Sequence, residues 1–316
     1  MTLTELRYVV AVGRERHFGR AAEACFVSQP TLSVAIKKLE EELGIVIFER
    51  GGSDVSVTPI GAQIVEQAQL VLEHAQALKE LAKGGKDPLS GPLKLGIIYT
   101  IGPYLLPQLV KQIIEQTPQM PLILQENFTV KLLELLRSGE IDVAILAEPF
   151  SESGLVTQAL YDEPFVVAVP KDHALAKRES ISSEELKSQT MLLLGSGHCF
   201  RDHVLEVCPE LSRYSQMNAG IQRTFEGSSL ETIRHMVASG LGITVLPMLA
   251  APTGLAQAEH LHYLPFADLP PSRRIVLAWR KSFTRHEAIA AIRHAVLSLK
   301  LSAVSALPNA IAQSHA

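Results

Sequence analysis

The stretch GHCFRDHVLEVC, Gly197 to Cys208, holds two of the chain's three cysteines nine positions apart, among histidine and arginine side chains. A thiolate is the reactive form of cysteine, and nearby positive charge or a helix N-terminus favours it. Cys199 precedes a run, FRDHVLEV, in which Phe200, Val204 and Val207 recur at helical spacing. It neighbours His198, Arg201 and His203, with Asp202 opposing, while Cys208 lies at the unfavourable C-terminal end. Nine residues of helix rise about 13 Å, whereas a disulfide tolerates Cα separations of at most about 7 Å. The reduced helix should therefore hold the thiols apart. Pro209 disfavours helical geometry at Cys208, and Gly195 and Gly197 loosen the other end, so the segment can unwind and join its ends. Cys199 attacking peroxide, passing through a sulfenic acid and being resolved by Cys208 is the chemistry this pattern predicts. The alternative is a pair of structural thiols in a packed lobe.

The rest of the chain narrows the setting. With 316 residues, 47% hydrophobic and 20% charged, it is long enough for two or more domains and has the composition of a soluble globular protein. Glu5 and Arg7 interrupt any secretory signal and no apolar run reaches a membrane span, so a cytoplasmic location without membrane contact is expected. An odd number of cysteines in a reducing compartment argues against permanent bridges. There is no C-x-x-C, no G-x-S-x-G elbow and no complete dinucleotide loop, and the 11 histidines lack zinc spacing. No metal, cofactor or enzyme activity is called for; a thiol peroxidase is the weaker enzymatic alternative.

The elements that must position these groups begin with helices. LTELRYVVAV and GRAAEAC read as two helices, and a third, from Gln29 to Leu43, is capped by Ser28. It puts Leu32, Ile36, Leu39 and Leu43 on one stripe and leaves Gln29, Thr31, Ser33, Lys37 and Lys38 outward. A wing of two short strands follows around Gly51 and Gly52, with Arg50 at its shoulder. Helix, turn, helix and wing is the pattern of a major-groove reader, in which amides and hydroxyls meet base edges and lysine meets phosphate. Charge does not support it: residues 1–58 hold seven Lys or Arg against eight Asp or Glu.

Thr58 and Pro59 open a long helix ending at Gly84 and Gly85. Its Ile64, Ala68, Val71, Ala75, Leu78 and Ala82 form a coiled-coil seam, which predicts a homodimer; the alternative is a helix lying on its own domain. From Leu93 strands alternate with helices: LKLGII, LILQEN, DVAIL, PFVVAVP, MLLLG, RTFEG, GITVLP and RRIVLAW, which implies parallel sheet. A last helix spans about Arg285 to Leu299, and the tail should fray.

The residues GRAAEACFVSQPTLSVAIKKLEEELGIVIFERGGSDVSVTPIG resemble the winged helix-turn-helix of LysR-type transcriptional regulators, through Ala21 and Ala22, SQPTLS, LEEELG and FER. The resemblance implies a multidomain fold: an N-terminal all-α winged helix-turn-helix over 1–58, a dimerising linker helix over 59–87, and an α/β regulatory domain over 88–301. That domain would comprise two Rossmann-like lobes of periplasmic-binding-protein type, lobe I about 88–162 with 268–301 and lobe II about 163–267, followed by a disordered tail, 302–316. It assigns DNA reading to Gln29, Pro30, Thr31, Ser33 and Lys37, with Arg50 on the wing. Cys25 falls where the family carries Leu and reads as an inert small hydrophobe.

GHCFRDHVLEVC with SLETIRHMVASGLGITVLP resembles, more narrowly, the peroxide-sensing activators of that family. By that resemblance Cys199 is the peroxidatic thiol and Cys208 the resolving one. Gly197, His198, Arg201, Thr100 and Thr129 line the peroxide pocket, and one of Arg273 and Arg274 adds a charge. Taken alone, each threonine is a helix cap. The implied partners are double-stranded promoter DNA, hydrogen peroxide, RNA polymerase and further copies of the chain, as a homodimer through the linker helix and a homotetramer. The alternative within the family is a small organic effector clasped between the lobes.

Overall fold

The computed structural model describes residues 1–51, 54–83, 87–207, 229–251, 260–301, 304–307 and 313–314. The chain divides into two compact units, Met1–Lys86 and Asp87–Ala316.

In the first unit, α1 (Leu3–Glu15) starts at a reciprocal cap: the Glu5 N–H donates to the Thr2 hydroxyl at 3.2 Å, and the Thr2 N–H donates to the Glu5 carboxylate at 2.7 Å. Next come α2 (Phe18–Ala24) and α3 (Gln29–Leu43), whose Ser28 cap accepts from the Thr31 N–H at 3.3 Å. Leu32, Ile36 and Leu39 of α3 are buried with Val9, Val12, Ala21 and Ala22, the small pair allowing the close helix crossing their size predicts. The wing is an antiparallel ribbon of β1 (Phe48–Gly51) and β2 (Asp54–Val57). It is fastened to α3 by Glu40, whose carboxylate accepts from the N–H groups of Ile47 and Phe48 at 2.7 and 3.0 Å.

The long helix α4 (Pro59–Lys83) is capped by Thr58, whose hydroxyl accepts from the Gly61 N–H at 2.9 Å. Its first half lies along α1. A Cβ on Gly13 would come within 2.9 Å of Val65, and Ala68 is buried in the core of this unit with Ile64 and Leu72 packed against it. This half of the helix thus follows the alternative reading, a helix lying on its own domain. Only further along do seam residues lose that cover, Val71 being 41% and Leu78 69% exposed.

In the second unit, β3 (Leu93–Ile98), α5 (Gly102–Gln116), β4 (Leu122–Asn127), α6 (Thr129–Ser138) and β5 (Val143–Ala147) form a parallel alternation in which β3 pairs with both β4 and β5. The sheet then departs from the all-parallel expectation. The strand β6 (Leu155–Pro170) runs for 16 residues. It pairs antiparallel with β7 (Thr244–Pro247), β8 (Leu261–Leu264) and β9 (Ser272–Arg280), and β9 is also antiparallel to β5.

The strands β6 and β9 therefore tie two α/β lobes together. Lobe I has its core in β3, β5, α5, α6 and β9, covered by the last helix, His286–Ser298. Lobe II has its core in the second half of β6 with β7, β8, a short α7 (Ser183–Leu186), α8 (Cys199–Val207) and α9 (Leu230–Ala238), which makes His286–Ser298 helix α10.

Three further readings are revised or left untouched. MLLLG forms no strand but a single bridge, Met191 to Ile243, because the Leu192 carbonyl is taken by the Thr244 hydroxyl at 2.7 Å in place of a neighbouring backbone. RTFEG lies outside the described residues. The tail expected to fray supplies two short pieces, β10 (Ser305–Ala306) and β11 (Gln313–Ser314), both antiparallel to β6. Among the described residues no helix is long and apolar enough to cross a membrane.

Candidate functional site

Three segments converge on Cys199: the end of β3, the β4–α6 turn and the start of α8. They enclose a hollow lined by Ile98, Tyr99, Thr100, Asn127, Phe128, Thr129, Gly197, His198 and Cys199. It has room for about one small polar molecule. Cys199 opens α8, as the spacing predicts, and its thiol is not in a disulfide. Phe200 and Val204 face the core of lobe II while Cys199 packs against that of lobe I, so the thiol sits at the lobe junction. Gly197 turns the chain into the helix with φ +95°, a left-handed conformation that suits glycine, and an added Cβ would press on Phe128 at 3.4 Å. The buried His198 ring meets Phe128 edge-on at 4.8 Å and Tyr99 at 6.1 Å.

Neither threonine serves as a helix cap. The N-cap positions of α5 and α6 are Ile101 and Phe128, without side-chain bonds, leaving the two hydroxyls for other use. The Thr129 hydroxyl is buried and has no hydrogen-bond partner among the described residues, a costly arrangement unless something small occupies the hollow. The Thr100 hydroxyl accepts from Nη1 of Arg273 at 2.7 Å, and the Thr100 carbonyl accepts from Nη2 at 3.1 Å.

Arg273 is thus the inward member of the arginine pair. Its Nε donates to Glu163 at 2.9 Å, neither side chain has exposed surface, and the guanidinium lies 5.1 Å from the centre of the Phe200 ring. The other Glu163 oxygen accepts from the Leu249 N–H at 2.9 Å. Arg274 points outward to Asp162. The register places Asp162 opposite Arg274 and Glu163 opposite Arg273, so two acid–arginine pairs lie across the same ladder, one in water and one in the core. Sequence reasoning named both arginines without separating them and passed over Glu163; strand alternation through YDEPF and SRRIV carries the missing signal.

Two expected sources of positive charge are each bonded to a backbone carbonyl. The Arg201 guanidinium donates to the Leu194 carbonyl at 2.8 Å, and Arg201 is not among the residues lining the hollow. His203 is buried, and its Nε2 donates to the Glu148 carbonyl at 2.8 Å; burial is the main cause holding its pKa below the ordinary histidine value. Cys208 lies outside the described residues. Cys25, at the end of α2, is half-buried, and desolvation raises its pKa, as befits an inert thiol.

In the first unit Gln29, Pro30, Thr31 and Lys37 are exposed on α3 and Ser33 is half-buried. The Thr31 hydroxyl is 2.8 Å from that of Ser28, and Lys37 lies 3.7 Å from Glu41. Arg50 belongs to β1, and its side chain is outside the described residues.

A winged helix-turn-helix joined to a two-lobed α/β domain with a water-sized hollow at its seam defines a DNA-binding regulator governed by an effector domain. Residues 3–62 match the "Bacterial regulatory helix-turn-helix protein, lysR family" and residues 86–299 the "LysR substrate binding domain". The chain belongs to the LysR family of transcription regulators, and it is a regulator and not an enzyme.

Similar curated proteins include the "Hydrogen peroxide-inducible genes activator" of Dickeya chrysanthemi, 41% identical over 89% of this chain and 90% of the relative. Another is the "DNA-binding transcriptional dual regulator OxyR" of Escherichia coli K12, 40% identical over the same shares. Among solved structures, full-length Pseudomonas aeruginosa OxyR with a cysteine-to-aspartate change matches with TM-score 0.73, 50% identity and 98% of both chains covered. An H2O2-bound cysteine-to-serine mutant of Corynebacterium glutamicum OxyR matches with TM-score 0.62 and 35% identity, over 94% of this chain and 91% of the other.

Proposed function

We propose that this chain is a cytoplasmic, peroxide-sensing transcription regulator whose switch is a reversible disulfide between Cys199 and Cys208. The observation that carries the proposal is the water-sized hollow beside Cys199, furnished with two threonine hydroxyls, one fixed by a buried arginine and one lacking a partner among the described residues. A hydroxyl both donates and accepts, as does hydrogen peroxide, so Thr100 and Thr129 can hold the oxidant in line with the sulfur. The Cys199 sulfur attacks one peroxide oxygen, forming an S–O bond as the O–O bond breaks. The second oxygen leaves as water with the thiol proton, and the sulfur has become a sulfenic acid. The Cys208 thiol then attacks that sulfur, and the sulfenic oxygen departs as a second water. Within the pocket His198 and Gly197 shape the wall, and Arg201 fixes the loop before α8 through the Leu194 carbonyl.

Closing the bond would reshape the segment after Cys199, bias how regulatory domains pair, and so alter the spacing of DNA-binding heads. The heads read promoter DNA through Gln29, Pro30, Thr31, Ser33 and Lys37, with Arg50 on the wing. In this reading dimers form along α4, where Val71 and Leu78 remain uncovered, they assemble into tetramers, and the activated assembly engages RNA polymerase. The hollow beside Cys199 is itself too small for an organic effector, the alternative within the family.

Mass spectrometry of alkylated full-length protein after a brief peroxide pulse tests the switch. A Cys199–Cys208 linked peptide should appear in the wild type, Cys208→Ser should stop at sulfenic acid on Cys199, and Cys199→Ser should give neither. Peroxide-dependent transcription surviving in Cys199→Ser would overturn the assignment.

A further inference from the structure

The exposed face of α3 carries an apolar residue. Val34 is 68% exposed, while Leu32, Ile36 and Leu39 on the opposite side have no exposed surface. At 100° per residue, Pro30 and Thr31 lie one turn before Val34 on the same face, and Lys37 and Lys38 one turn after, all of them exposed. Nothing within its own unit explains this choice: a β-branched residue mid-helix costs helix propensity relative to alanine, and here its methyl groups face water.

What would cover Val34 follows from its neighbours. The two lysines are complementary to phosphate, and α3 is the second helix of a helix-turn-helix, the one that lies in the major groove. Along the groove floor the one apolar feature is the C5-methyl of thymine, which small aliphatic side chains contact. We infer that Val34 selects thymine in each half-site by packing on its C5-methyl, with Lys37 and Lys38 seated on the flanking phosphates. The inference rests on α3 being the DNA-reading helix and is independent of the redox chemistry.

The test uses the full-length chain and duplexes that it enriches from a random-sequence pool. Each thymine of the enriched site is replaced singly by deoxyuridine, which removes the methyl and leaves base pairing intact. Wild-type protein should lose about fourfold in affinity at one position per half-site, corresponding to the ~0.8 kcal/mol of burying one methyl group. Val34→Ala, a change that favours the exposed helix, should bind the parent duplex about fourfold more weakly and be indifferent to uracil at that position. Val34→Thr, which keeps one methyl, should fall between. Uracil effects at other positions, where Thr31 can offer its own methyl, should be the same in wild type and Val34→Ala.

The inference is overturned if an enriched site tolerates uracil everywhere, or if Val34→Ala keeps the wild-type pattern. Enrichment of no sequence at all would instead overturn DNA reading by α3, and the role of Val34 with it.

Discussion

Replacing Arg273 by methionine removes a charge that the structure has no means to solvate, and leaves another behind. Arg273 and Glu163 both have 0% exposed side chains, and the guanidinium is shared between Glu163, the hydroxyl and carbonyl of Thr100, and the face of Phe200. In Arg273→Met the Glu163 carboxylate keeps the Leu249 N–H as its described donor, at 2.9 Å. Breaking a buried pair from one side costs about 3–5 kcal/mol, because an uncompensated charge remains. With domain stabilities of about 5–15 kcal/mol, the variant stays folded but marginal. At a urea slope of about 2 kcal/mol per molar, the unfolding midpoint falls by about 2 M.

The reporter is built in. Trp279, the chain's only tryptophan, is buried on the same strand, β9. The double variant Arg273→Met/Glu163→Gln carries no charge at this pair and should regain most of the lost stability. It should not regain the rate of Cys199 oxidation by peroxide, since the Thr100 hydroxyl has lost its Arg273 donor in both variants. A midpoint shift below about 0.5 M for the single variant, or a double variant no more stable than the single, would refute the argument from buried charge. Full recovery of the oxidation rate in the double variant would refute the role given to Arg273 in setting Thr100.

Two more outcomes follow from groups that span the lobes. His203 is held neutral by burial, so the unfolded chain takes up a proton there more readily than the folded one. Its contribution is complete above the ordinary histidine value of about 6.5 and is lost as pH falls below it, by up to about 1.4 kcal/mol per pH unit until the lowered folded pKa is passed. Urea melts of wild type and His203→Gln at pH 7.5 and 5.5 should show a smaller acid loss in the variant, and equal losses would count against it. The Tyr104 hydroxyl of α5 donates to Glu231 of α9 at 2.8 Å, and Arg234 grips the same carboxylate with Nη1, 2.8 and 2.9 Å from its two oxygens. Tyr104→Phe should cost about 1.5–3 kcal/mol, the range for a bond to a charged acceptor, measured by the same urea midpoint; no change would mean the contact contributes nothing across the lobes.

What the sequence reveals depends on how local each determinant is. The helices of the first unit follow from apolar spacing and from caps such as Ser28 and Thr58, which act within a turn or two. The strands β3, β4 and β5 are legible for the same reason, as apolar runs between helices. The first half of β6 is not, because its Gln158, Asp162 and Glu163 read as loop; Glu163 becomes a strand residue only through Arg273, 110 positions away. Strand direction is equally invisible to periodicity, which is why the parallel expectation fails at β6 and β9. At the site, Cys199, Gly197, Thr100 and Thr129 were identified from pattern and resemblance. The aromatic wall of Tyr99 and Phe128 and the partner of Arg273 emerge only from tertiary packing.

The continuity of β6 bears on how a chemical event at one sulfur could be felt elsewhere. A pair of lobes joined by slack linkers can open and shut about a hinge, but these share one backbone that is laced by hydrogen bonds to β9 at its start and to β7 and β8 at its end. Reshaping α8, whose Phe200 meets Phe165 edge-on in the second half of β6, would therefore act on a backbone whose first half is bonded into lobe I.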